Sequence, residues 1–156
     1  MIKPASLLLF LCIHSSNLFA QSPSYPASFS KPFPLFEKAL GDFNRPVTST
    51  VEGVQEYFNQ GFQMMYAFTK VDAARSFKQA QQLDPDCSMC FWGEAWAWGP
   101  YLNGKMQKAE APRAFASIQT AQKLAQEGTL TEKEADLITA MAVRYHKTYE
   151  PETQAV

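Results

Sequence analysis

Cys87 and Cys90 stand three apart in the stretch LDPDCSMCFWGEAWAWGP, residues 83–100. A Cys-x-x-Cys pair can be a redox couple, half of a metal site, a haem attachment point or a structural staple. Haem attachment needs a histidine directly after the second cysteine, and Phe91 stands there instead. A structural zinc needs four ligands. Past residue 20 the chain offers two cysteines and one histidine, His146, so no metal is expected. A redox couple would draw on a thiol pKa lowered at a helix N-terminus, but the βαβ pattern that goes with thioredoxin-like chemistry is absent. The bland readings come first: a short-range disulfide, favoured in an oxidising compartment, or two buried thiols. No Gly-x-Gly phosphate loop, Ser/His/Asp set or paired carboxylates emerge, so no catalytic residue is named and no enzyme or cofactor is expected.

Most elements that must position these residues are helical. The first twenty residues, MIKPASLLLFLCIHSSNLFA, have one lysine, an apolar run over Leu7–Ile13 and a small residue at Ala20. That is the layout of a secretory signal peptide, and the run is too short to span a bilayer. Cleavage after Ala20 would remove Cys12 and leave Cys87 and Cys90 as an even pair in a periplasmic or secreted protein, with no membrane attachment. Residues 21–47 read as an arm or linker, with four prolines and four serines between 21 and 36. Near-neutral charge, 14 basic against 15 acidic residues, gives no reason to expect a nucleic-acid partner.

From residue 48 to 149 the spacing predicts one all-α domain. Val51, Val54, Phe58, Gly61, Phe62, Met65 and Phe68 step by three and four, with Ser49 or Thr50 available as a cap. A second helix runs to Pro85, a third spans 87–98 with Asp86 as its cap, and a fourth spans 111–126 with Gly128 beyond it. Thr131 and Glu134 form a capping box for a fifth, striped by Ala135, Ile138, Met141, Ala142 and Tyr145. Residues 150–156 are a tail.

Gly61, Ala73, Phe77, Ala80 and Pro85 fall at offsets 0, +12, +16, +19 and +24, with Tyr57 four before the glycine. This set resembles the tetratricopeptide repeat, a helix–turn–helix unit of about 34 residues. Small residues at Gly61 and Ala73 let antiparallel helices approach, Phe77 fills the gap and Pro85 turns the chain. Gln60 and Met64 depart from the motif's leucine and aromatic. Repeats are expected at about 54–87 and 88–128, the second with Phe91, Ala95 and Trp98 and an enlarged turn, GPYLNGKMQ, followed by a half repeat at 131–149. The wording of residues 55–103 is similar to a family of exported bacterial tetratricopeptide proteins, usually longer than this chain. Members often carry histidine where this chain has Phe43, Asn44 and Lys70, so any metal or cofactor role of those histidines is not carried over.

The resemblance implies stacked antiparallel helix pairs, a short solenoid. On that frame Phe58, Phe62, Met65, Tyr66, Met89, Trp92 and Trp96 fall on the first-helix face that lines the concave groove. An aromatic groove suits a protein segment, a peptide or an apolar ligand. The arm, the enlarged turn or a further repeat would be the alternative occupants. A carboxylate clamp is not expected, since Gln55 and Gly93 stand where lysine or asparagine is needed. The leading expectation is a non-enzymatic binding scaffold. The alternatives are a Cys-x-x-Cys redox or cofactor-binding protein and a truncated copy with no activity of its own. About three repeats are needed for stability, so an apolar last helix also predicts self-association through residues 131–148.

Overall fold

The computed structural model describes residues 23–36, 38 and 40–150. The expected signal peptide and most of the expected tail lie outside the described residues. Among the described residues five α-helices follow one another: α1 (Val54–Tyr66), α2 (Lys70–Leu83), α3 (Ser88–Trp98), α4 (Ala111–Glu127) and α5 (Glu132–Ala142). Among the described residues there is no strand, only an isolated bridge between Tyr101 and Gly104. Each helix packs on the next, and α3 also touches α1 and α5. The outcome is two layers, α1, α3 and α5 in one and α2 and α4 in the other, the repeat-like stacking of helix pairs that the spacing predicts.

Two starts differ from the sequence reading. Neither Ser49 nor Thr50 caps α1. Gly53 does, at φ 84°, a left-handed conformation that glycine adopts without steric cost. Ser49 Oγ instead donates to Asp84 Oδ2 at 2.6 Å, tying the entry of α1 to the exit of α2. Asp86 does not cap α3. Cys87 is the cap residue, and its Sγ accepts from the Cys90 amide at 3.2 Å. The Thr131–Glu134 box opens α5 as expected, with both reciprocal hydrogen bonds present. That helix stops at Ala142, earlier than the half repeat implied.

The core is built on α3, which is apolar almost all round and is therefore the central helix. Gly61, Ala73, Phe77 and Ala80 are buried at the α1–α2 contact, and Ala95, Trp98, Ala114, Ile118 and Ala121 are buried at the α3–α4 contact. Phe77 also reaches beyond its own pair. Its ring lies so close under Gly93 of α3 that a β-carbon there would come within 2.4 Å of it. Tyr57 is half-buried, its hydroxyl donating to the Phe33 carbonyl at 2.9 Å, and Pro85 sits in the α2–α3 turn. In the enlarged turn Met106 is buried, and Lys70 Nζ donates to the Gly99 carbonyl at 2.6 Å. Burial lowers the Lys70 ammonium from its ordinary value, opposed by the nearby Glu110.

The apolar stripe of the last helix is turned inward. Ile138, Met141 and Tyr145 are buried, and within 131–148 the large apolar side chain left at the surface is Val143, 75% exposed. Its large side chains thus pack into the chain's own core, while Ala135 stays exposed.

The arm is ordered against the helices rather than a free linker. Tyr25 and Phe29 pack on Trp98, and Arg113 Nε donates to the Ser24 carbonyl at 2.6 Å. Phe33 is buried beneath the Arg75 guanidinium, 4.3 Å from its ring centroid. The arm then crosses α1, where carboxamides take hold of its backbone. Gln60 accepts from the Phe36 amide (2.7 Å) and donates to the Pro34 carbonyl (3.0 Å). Asn59 accepts from the Arg45 amide, while Gln55 donates to the Arg45 carbonyl and accepts from the Val47 amide. Finally Thr48 hydrogen-bonds Glu134 of α5 through its amide and its hydroxyl.

Candidate functional site

Cys87 and Cys90 are joined in a disulfide with Cα atoms 5.4 Å apart. Both residues are buried, 1% and 0% exposed, beneath the start of α3. The bond closes a loop too short to constrain the unfolded chain strongly. Its placement fixes the first turn of the central helix, where Cys87 serves as cap. A redox couple needs a sulfur that an attacking thiolate can reach, and neither is at the surface.

The seven residues expected to line a groove divide in two. Phe58, Met65 and Met89 are wholly buried and belong to the core. The helical period places them on the inward side of the stripe, Phe58 against Phe77 of α2. Trp92 is nearly buried as well, its indole N–H donating to the Leu137 carbonyl of α5 at 3.0 Å. Tyr66 and Trp96 remain at the surface, packed on Phe62. Phe62 is largely covered, Trp96 is half-buried and Tyr66 is 66% exposed. Ring centroids are 5.1 Å apart for Phe62–Trp96, 5.6 Å for Phe62–Tyr66 and 6.0 Å for Tyr66–Trp96, spacings at which aromatic pairs attract.

Residues outside the helical pattern complete the strip. Phe43 of the arm stacks on Phe62 at 5.1 Å with planes 14° apart, and the Arg45 guanidinium stands 5.7 Å from the same ring centroid. Leu40, Phe43, Arg45, Phe62, Gln63 and Tyr66 enclose a cleft of about 590 Å³. A second cleft, about 390 Å³, is lined by Trp96, Pro100, Tyr101, Leu102 and Arg144. The two meet at the Tyr66–Trp96 pair. Leu102 is 84% exposed, and burial together with the neighbouring Tyr66 raises the Tyr101 phenol above its ordinary value. The arm covers the Phe62 end of the strip through Phe43 and Arg45, and the enlarged turn walls the other end.

Sequence reasoning missed Phe43, Arg45, Tyr101, Leu102 and Arg144. Repeat spacing assigns faces only to helical positions, and four of these five lie in the arm or the turn.

The opposite side of α3 holds a polar core. Glu94 is fully buried, accepting from Gln81 Nε2 (2.7 Å) and Trp98 Nε1 (3.1 Å), with Lys78 Nζ at 3.9 Å. Tyr25 of the arm closes over it. Burial and the Glu94 charge push the Tyr25 phenol far above its ordinary value. Buried carboxylates survive when their lone pairs are satisfied, as here, so this group is structural. Among the described residues no cluster of three or more His, Cys, Asp or Glu is placed to hold a metal ion, and no helix is long and apolar enough to cross a membrane. No protein-family model matches the chain, and neither does any curated protein or solved structure.

Proposed function

We propose that this chain is an exported, non-enzymatic binding module of the tetratricopeptide type that takes an extended segment of another protein along the strip Phe43–Phe62–Tyr66–Trp96. The observation that carries the reading is Tyr66, a large aromatic side chain 66% exposed between two clefts and braced by Phe62 and Trp96. Aromatic anchors held by packed neighbours bind with little loss of side-chain freedom. The carboxamides of α1 add a second line of support. They already grip the extended backbone of the chain's own arm, which is how a repeat surface would hold a foreign strand. The buried disulfide suits an oxidising compartment and argues against the redox alternative.

The test is selection of peptides from a random displayed library on the mature protein, followed by binding to Tyr66→Ala and Trp96→Ala variants. Selected peptides should lose about tenfold or more in affinity with Tyr66→Ala, the loss of a central aromatic anchor. Peptides that bind both variants as well as the parent would place recognition elsewhere.

A further inference from the structure

We infer that the segment taken by this strip is acidic, its carboxylates meeting the guanidinium groups of Arg45 and Arg144 while its apolar side chains lie on Phe62, Tyr66 and Trp96. The inference rests on the binding reading above and narrows its ligand. Each cleft is lined by one charged side chain, and in both it is an arginine: Arg45 in the larger, Arg144 in the smaller. The adjoining cleft carries Asp42 and Glu56, so the basic character is confined to the Arg45 and Arg144 clefts.

Several basic residues of the helices are committed to partners of their own. Lys70 pairs with Glu110, Arg75 with Asp72 and Lys78 with Glu94, while Arg113 holds the Ser24 carbonyl. Arg45 and Arg144 enter none of the ion pairs seen among the described residues. Arg144 lines the smaller cleft, its Nη1 donating to Met141 Sδ at 3.9 Å while its Nε is buried. The Arg45 backbone is held at both its amide and its carbonyl, by Asn59 and Gln55, which presents the side chain from a fixed point. Its guanidinium beside the Phe62 ring also suits the ligand, because arginine can stack on an aromatic face and still pair with a carboxylate through its edge. The two charges bracket the apolar rings, so the complementary strand has acidic residues on either side of an apolar centre.

The experiment uses the mature chain and three synthetic peptides of equal length, blocked at both ends. One alternates Glu with Phe and Leu, the second has Gln for every Glu, and the third has Lys. Affinity is read from fluorescence anisotropy of the labelled peptides near physiological salt. The acidic peptide should bind about tenfold or more tighter than its Gln counterpart, with the gap closing at high salt. Arg45→Gln and Arg144→Gln, checked for unchanged helicity and melting, should each weaken the acidic peptide and leave the Gln peptide unaffected. Equal affinity for the acidic and Gln peptides, with loss of both on Tyr66→Ala, would overturn the acidic preference and leave the binding strip standing. Tightest binding of the Lys peptide, or binding to anionic lipid vesicles in place of all three peptides, would also overturn it. Failure of every peptide, with library-selected peptides indifferent to Tyr66, would remove the strip itself.

Discussion

The phenyl ring of Phe77 on α2 lies directly beneath Gly93 on α3, and a β-carbon at Gly93 would stand 2.4 Å from its Cε1 atom. At Gly61 on α1 the corresponding approach is 2.9 Å. One fully buried ring therefore locks three helices together, and glycine is what lets them close on it.

Gly93→Ala should destabilise the fold even though alanine favours a helix by about 1 kcal/mol. Phe77 has no exposed direction in which to move, so overpacking wins, at a net cost of about 1–3 kcal/mol. Gly61→Ala should cost less, since its clash is milder. In urea melts, Phe77→Leu combined with Gly93→Ala should lose less than the sum of the two single changes, because the smaller side chain relieves the contact. Strict additivity would mean that the ring and the glycine do not meet.

That relationship also marks how far repeat spacing reads. Gly61, Ala73, Phe77 and Ala80 follow from one unit's internal geometry, and each lies where the motif puts it. Gly93 belongs to the joint between units and has no place in the motif. The same limit explains the binding strip. Helical period assigns Phe62, Tyr66 and Trp96 to one face, but it cannot tell Phe58 or Met65, inward on that stripe, from a residue at the rim. Phe43 and Arg45 reach the face from an arm whose path is set by Gln55, Asn59 and Gln60. Carboxamides on a helix surface carry no sequence pattern that announces such a role. The capping box and the even cysteine pair were legible because both are local chemistry.

Glu134 joins the arm to the last helix. Burial alone would raise its carboxyl, yet hydrogen bonds from Thr48 and Thr131 outweigh that and hold it below its ordinary value. A depressed folded-state pKa adds stability above the unfolded value of about 4.3, and the gain is lost as pH falls through the folded value. Glu134→Gln should therefore cost about 1.5–3 kcal/mol near pH 7, the range for hydrogen bonds to a charged group. The gap between parent and variant melting temperatures should narrow steadily below about pH 4. A gap that stays constant down to pH 2 would assign the loss to shape rather than charge.

Both cysteines are buried, so the Cys87–Cys90 bond should resist reduction in the native protein and open only with unfolding. Alkylation after mild reductant should add nothing under native conditions and two groups in denaturant. Replacing both cysteines by alanine should cost more than the roughly 2 kcal/mol that so short a loop supplies through chain entropy, because the cap of α3 is lost as well. Rapid native reduction with full retention of activity as a thiol donor would return the redox reading to first place.

Two phenols near the end of α3, the buried Tyr145 and the half-buried Tyr25, make the fold sensitive to alkali. Burial pushes Tyr145 up to about 12, and Tyr25, covering Glu94, is raised further still. A raised folded-state pKa means that the neutral phenol is the form the fold accepts. The stability it contributes is complete below the unfolded value of about 10 and drains away as pH climbs through the folded value. In an ultraviolet titration Tyr25 and Tyr145 should ionise only together with loss of helicity. Tyr25→Phe keeps the ring against Phe29 and Trp98 and removes the titrating group. It should shift the alkaline unfolding midpoint upward and eliminate one of the late-ionising phenols. If Tyr25 ionises with the helices intact, the arm does not seal it over Glu94.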